Sequence, residues 1–124
     1  MTEEPRHTFT RGRFVEHAAH SFLSARGYLV FLCSGMRSPV DLIAWSPQGH
    51  QTLIKTERAR ISVGTAAQVA ERYRGDLYAL RTVIPPPLAI VQLWILSSFD
   101  DSWRFFTVFP GGIAEVEECQ QFFQ

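Results

Sequence analysis

Lys55 is the only lysine in a chain that uses arginine eleven times, and it stands two residues before Glu57 in the stretch LIKTE, Leu53 to Glu57. Side chains alternate along a strand, so residues two apart leave the same face with Cα atoms roughly 6.5 to 7 Å apart. Lys55 and Glu57 therefore share a face. If Ser46 pairs with His50 across the turn Pro47-Gln48-Gly49, counting back along both strands sets Asp41 opposite Lys55 on that same face. One ammonium and two carboxylates then converge. Carboxylate oxygens suit Mg²⁺ or Mn²⁺, the metal polarises a phosphoryl oxygen and activates water, and an ammonium orients that water or stabilises developing negative charge. This is chemistry for phosphodiester hydrolysis. The competing reading is an ordinary surface ion pair of Lys55 with Asp41 or Glu57, or separate solvation of each.

The elements that must hold these residues are legible from periodicity. After a polar arm over 1–10, the spacing of Phe14, Ala18, Phe22 and Ala25 predicts an amphipathic helix from Arg13 to Arg26, with Gly27 as its stop. Tyr28 to Cys33 is apolar and aromatic with no charge, as in a strand covered on both faces. SGMRSP, Ser34 to Pro39, is a loop by composition; Val40 to Trp45 and His50 to Glu57 form an antiparallel hairpin. Thr65 followed by Gln68 resembles a capping box, and Ala66, Val69, Ala70, Tyr73, Leu77 and Leu80 continue as the face of a helix at 65–81 that carries an internal Gly75. Pro85-Pro86-Pro87 forbids helix. Leu88 to Ser97 then reads as a buried strand, and Trp103 to Phe109 as its hairpin partner. The order is α-β-β-β-α-β-β, which implies an α/β fold with one mixed sheet and helices packed on it.

Composition bounds the rest. At 124 residues and 46% hydrophobic content, the chain fits a single domain able to bury a core without disulfides or a structural metal. Its two cysteines, Cys33 and Cys119, lack metal-ligand spacing, and MTEEPRHTFT lacks the regions of a signal peptide, so the expected location is the cytoplasm. The longest apolar run, Leu88 to Leu96, is interrupted by Gln92 and falls short of the about 20 residues of a membrane helix. Net charge is zero, which argues against a broad non-specific basic field. Charge is nonetheless uneven: residues 1–60 hold eight Arg or Lys against five Asp or Glu, whereas 61–124 hold four against seven.

The run RGRFVEHAAHSFLSARGY, then SGMRSPVDLIAW, then a short turn and TLIKTE resembles the PD-(D/E)-x-K nuclease superfamily, most nearly the archaeal-type Holliday junction resolvases. The resemblance spans about residues 11 to 62, and beyond it only the element order agrees. It implies a restriction-endonuclease-like mixed central sheet flanked by helices, and a homodimer acting on branched or structured DNA as an endonuclease that needs a divalent metal, Mg²⁺ or Mn²⁺. Glu16 matches the family's helix acid and Asp41 its strand-two metal ligand, while Ser34 and Ser38 lie in what resembles its serine and glycine loop. On this resemblance Asp41, Glu57 and Glu16 are the metal ligands, and Lys55 acts on the attacking water or scissile phosphate. Arg11, Arg13, Arg37, Arg58 and Arg60 would surround the site, and arginine forks suit phosphate oxygens.

The third strand departs from the pattern. Family members place the acid, or a glutamine, two residues before the lysine, whereas this chain has Lys55-Thr56-Glu57. The exchange moves a ligand position by most of 7 Å along the strand, where productive geometry tolerates about 0.5 Å. A second reading follows: a nuclease-fold protein that binds DNA or acts as a scaffold with impaired chemistry. His17 and His20 lack a completing metal ligand and read as surface or partly buried residues, and Ser34 and Ser38 form no hydrolase triad. Trp94, Trp103, Phe105, Phe106 and Phe109 read as core or subunit interface, and the tail pair Phe122-Phe123 as apolar enough to seek a partner.

Overall fold

The first helix, α1 (Arg11–Ser24), buries Val15, Ala19 and Leu23 against the sheet. The computed structural model describes residues 11–33 and 38–117, with side chains from residue 14 onward. Its buried stripe is displaced by one residue from the expected Phe14-Ala18-Phe22-Ala25 series: Phe14 and Ala25 are exposed, and Ala18 and Phe22 are half-buried. Both series have four-residue spacing and small or apolar members, so spacing alone cannot choose between them. The flatter Val-Ala-Leu row allows close approach to the sheet. Gly27, at φ +87°, ends the helix as expected, with Tyr28 N–H donating to the Leu23 carbonyl at 3.2 Å.

Six strands form one sheet in the order β1-β2-β3-β4-β5-β6: β1 (Leu29–Leu32), β2 (Leu42–Trp45), β3 (Gln51–Ala59), β4 (Ala89–Ser97), β5 (Ser102–Phe109) and β6 (Gly112–Val116). All neighbours are antiparallel except β3 and β4, which are parallel and are joined through α2 (Ala66–Arg72) and α3 (Arg74–Leu80). A parallel pair requires such a crossover, which is why the helices lie between these strands in sequence. The mixed α/β sheet flanked by helices is the architecture expected from the sequence.

Three expectations need correction. Among the described residues β1 is not covered on both faces; it is the sheet edge, pairs there with β2 alone, and leaves Leu29, Phe31 and Leu32 exposed. Lack of charge signalled a strand, but covering is decided by what packs beyond it. The expected helix at 65–81 is two seven-residue helices meeting at Tyr73 (φ −107°, ψ 32°), although the Tyr73 and Leu77 N–H groups still bond four residues back. Of the expected inward series, Val69, Tyr73, Leu77 and Leu80 are buried all the same, and Ala66 and Ala70 are half-buried against the same core. A sixth strand was not anticipated: β6 is short and largely exposed, and a bidentate ion pair from Arg104 of β5 to Glu115 (2.8 and 2.9 Å) ties it down. The tail from 118 onward, with Cys119 and Phe122-Phe123, lies outside the described residues.

The sheet separates two apolar layers. On one face α2 and α3 bury Val69, Leu77 and Leu80 against Leu53, Leu93 and Phe106. On the other, α1 packs Ala19 and Leu23 against Leu42, Ile54 and Trp94. Phe22, Trp94, Trp103 and Phe105 form an aromatic cluster there, with Trp94 and Phe105 centroids 4.7 Å apart at 76°. Gln92, the polar interruption of the longest apolar run, is fully buried and satisfied. Its Oε1 accepts from Trp94 Nε1 at 2.8 Å and its Nε2 donates to Thr107 Oγ1 at 3.1 Å, so no desolvation penalty is left uncompensated at those atoms. Trp94, Phe105 and Phe106 are core, as expected; Trp103 is half-buried and Phe109 is exposed.

Candidate phosphodiester site

β3 is nine residues long and β2 only four, so the register Leu42↔Ile54 leaves Lys55 to Ala59 running past the start of β2. The same register continues to the turn, where Ser46 N–H donates to the His50 carbonyl at 2.9 Å. At its other end the ladder stops at Leu42↔Ile54, and Asp41 N–H donates to the Ile54 carbonyl at 2.7 Å, so Asp41 is not paired directly opposite Lys55 as the register count predicts, although its side chain lies beside that of Lys55. Beyond that point the β3 edge has lost its backbone partner. Asp41 supplies a substitute: its Oδ2 accepts from Thr56 N–H at 2.8 Å and from Thr56 Oγ1 at 2.9 Å. Lys55 Nζ stands 3.7 Å from the same oxygen. An extended-strand donor that would otherwise be orphaned is thereby satisfied by a charged acceptor, the stronger kind of hydrogen bond.

Around this corner lies a cleft of about 300 Å³ lined by Val15, Glu16, Asp41, Lys55, Thr56, Glu57 and Arg58. Four expected chemical residues, Glu16, Asp41, Lys55 and Glu57, thus line one space, with helix α1 contributing Glu16. Arg58 lines it as well and lies over the ring of Phe14 at 4.8 Å, a cation-π contact that braces the guanidinium. Arg60 is exposed beyond the end of β3, and Ser38 is a loop former whose Oγ accepts from Val40 N–H at 3.2 Å. Ser34, Arg37 and the side chains of Arg11 and Arg13 lie outside the described residues. His17 is exposed, and half-buried His20 has its Nδ1 3.4 Å from Ser24 Oγ.

The structure adds a residue that sequence reasoning passed over. Glu57 points to the α2–α3 face, where its carboxyl hydrogen-bonds Asp76 of α3. Burial first, then that hydrogen bond and the charge of Asp76, push the Glu57 carboxyl up to about 8; Lys55 pulls it down and Asp41 pushes it up. At neutral pH the Glu57 carboxyl therefore holds its proton. Asp76 was visible as an acid within the inward series Tyr73, Leu77 and Leu80, at three residues after the first and one before the second. Nearby, the buried Tyr73 hydroxyl is the one side-chain polar atom of this kind without a hydrogen-bond partner among the described residues. Burial, chiefly, also raises the Tyr73 phenol. Cys33, next to the row of Asp41, has its thiol raised by burial and then by the charges of Asp41 and Glu16.

The oxygen donors of Glu16, Asp41 and Glu57 are of the type that Mg²⁺ or Mn²⁺ takes. As arranged they do not fit one ion. Asp41 Oδ2 is spent on Thr56 and Lys55, Glu57 is turned to Asp76, and among the described residues no three His, Cys, Asp or Glu side chains are grouped to hold a metal. What the arrangement offers is a cleft in which Asp41 is offset by Lys55 and Glu57 by its proton, with Glu16 from α1 and the Arg58 guanidinium at its wall. Such a site receives an anion more readily than a bare carboxylate cluster would.

No helix among the described residues is long and apolar enough to cross a membrane. No family model and no curated protein sequence matches this chain. Among solved structures it is similar to a Holliday junction resolvase from the archaeal hyperthermophile Archaeoglobus fulgidus, at 19% identity and a TM-score of 0.45 over 89% of this chain and 86% of that one.

Proposed function

We propose that this chain is a nuclease-like DNA-binding protein whose cleft grips a phosphodiester of branched or structured DNA and whose hydrolytic chemistry is impaired. The observation that carries this reading is the engagement of Asp41: Thr56 and Lys55 both hold its Oδ2, so the carboxylate closes the β3 edge. In this role Lys55 neutralises Asp41, Arg58 meets the phosphate, and Glu57 stays protonated against Asp76. The acting unit is a homodimer, as the sequence resemblance implies.

A second reading, a metal-dependent endonuclease, is favoured by the gathering of Glu16, Asp41, Lys55 and Glu57 around one cleft. One set of assays separates the two. Purified protein is incubated with four-way junction, nicked and single-stranded DNA in Mg²⁺ or Mn²⁺, beside Asp41→Ala, Asp41→Asn and the double exchange Lys55→Glu with Glu57→Lys. The first reading expects binding with little or no cleavage by the natural chain, and cleavage created or raised by the double exchange. Efficient cleavage by the natural chain that is lost in both Asp41 variants establishes the second. Asp41→Asn retains an acceptor for Thr56 and so distinguishes loss of chemistry from loss of the brace.

A further inference from the structure

The face of the sheet that carries Lys55 continues past the cleft into a patch that nothing described so far uses. Strand register arranges this face in rows roughly 6.5 to 7 Å apart: Lys55, with Asp41 beside it where the β2–β3 ladder ends, then Phe31, Ile43 and Leu53, then Leu29, Trp45 and Gln51. Helices α2 and α3 bury the β3–β6 part of the face. Toward the β1 edge, Leu29, Phe31 and Trp45 remain 55%, 46% and 41% exposed. Phe31 and Trp45 touch edge to face, centroids 5.4 Å apart at 74°, and each keeps ring surface open to solvent.

We infer that Phe31 and Trp45 form a stacking platform for unpaired bases of a DNA strand whose phosphate is held in the adjoining cleft. This rests on the proposed DNA-binding role and names the substrate feature it recognises. Three observations favour bases over other occupants. Two of the three exposed residues are flat rings, and stacking on rings tolerates any base because every base has a π-face. The rings occupy the two rows that follow Lys55 on one continuous sheet face, so backbone and bases of one strand meet cleft and rings at once. The patch also lacks charged members, which leaves phosphate contact to Arg58 in the cleft and ring contact to the bases.

The test measures binding of the full chain to single-stranded and gapped oligonucleotides and to a fully paired duplex of the same sequence, for wild type, Phe31→Ala, Trp45→Leu and Trp45→Phe. Trp45→Leu keeps apolar bulk and removes the large ring, while Trp45→Phe retains a ring. Alanine at position 31 or leucine at 45 is expected to weaken single-stranded and gapped binding by roughly 5- to 150-fold, with duplex binding little changed. Tryptophan fluorescence should fall on binding single strands and lose that change in Trp45→Leu and Trp45→Phe, since Trp94 is buried within the core and Trp103 packs beside it in the α1 layer on the opposite face of the sheet. Equal loss on duplex, no loss on any DNA, or conversion of a dimer to a monomer by Trp45→Leu would each overturn the platform, the last by assigning the patch to a second copy. If wild type binds no DNA of any kind, the proposed function itself fails; if it binds duplex and single strands alike and the variants match it, only the platform fails.

Discussion

At the scale of single residues, the site is governed by who neutralises each carboxyl. Asp41 is answered by Lys55 and two donors of Thr56, and Glu57 by the proton that burial and the neighbouring Asp76 make it keep. The second arrangement has a stability signature. The Glu57 carboxyl sits at about 8 in the folded chain against an ordinary 4.5, so the folded state binds the extra proton in between. Its contribution to stability is therefore fully present below 4.5 and is lost as pH rises through 8. Glu57→Gln, which cannot ionise, should gain thermal midpoint relative to wild type as pH is raised from 5 to about 8.5. A difference between the two melting curves that stays constant over this range would show that Glu57 titrates normally.

At the scale of elements, α2 depends on a cap that composition announced. Thr65 Oγ1 accepts from Gln68 N–H at 3.2 Å, and Gln68 Oε1 accepts from Thr65 N–H at 2.8 Å, a reciprocal pair that satisfies two N-terminal donors. Gly64 immediately precedes it at φ +80°, and a Cβ there would run into the Gln68 side chain that closes the box. Gly64→Ala should accordingly impose left-handed strain and open the cap together, lowering unfolding free energy by roughly 1 to 3 kcal/mol. Urea denaturation followed by circular dichroism measures it. Gly75→Ala is the contrasting control: this glycine has no positive φ and open space at its Cβ position, so it should be neutral or mildly stabilising.

At the scale of the whole molecule, β4 is the shared wall of both apolar layers. Leu93 and Ile95 face α2 and α3, whereas Trp94 faces α1. Both faces being occupied explains a strand buried continuously from Val91 to Ser97. Leu93→Ala should cost roughly 2 to 5 kcal/mol. Because the cavity opens on one layer while Trp94 reports from the other, coincident fluorescence and circular dichroism transitions would show that the layers unfold as one unit. Separated transitions would show two.

Much of this organisation is local and was therefore readable in advance. The β2–β3 register, Leu42↔Ile54 to Trp45↔Gln51, follows from a short turn with Gly49 at φ +92°, and it brings Asp41 near Lys55. The Thr65–Gln68 cap, the stop at Gly27 and the inward series of α2 and α3 are likewise encoded within a few residues of one another. Other features depend on neighbours distant in sequence. That β1 is an exposed edge, that Val15, Ala19 and Leu23 rather than Phe14 and Ala18 form the buried stripe of α1, and that Asp76 arrives beside Glu57 were settled only by packing. The lone lysine of LIKTE shows the division most clearly. Alternation along a strand dictated its face, but its role beside Asp41 arose from the unequal lengths of β2 and β3, which leave Thr56 in need of an acceptor that only the folded chain supplies.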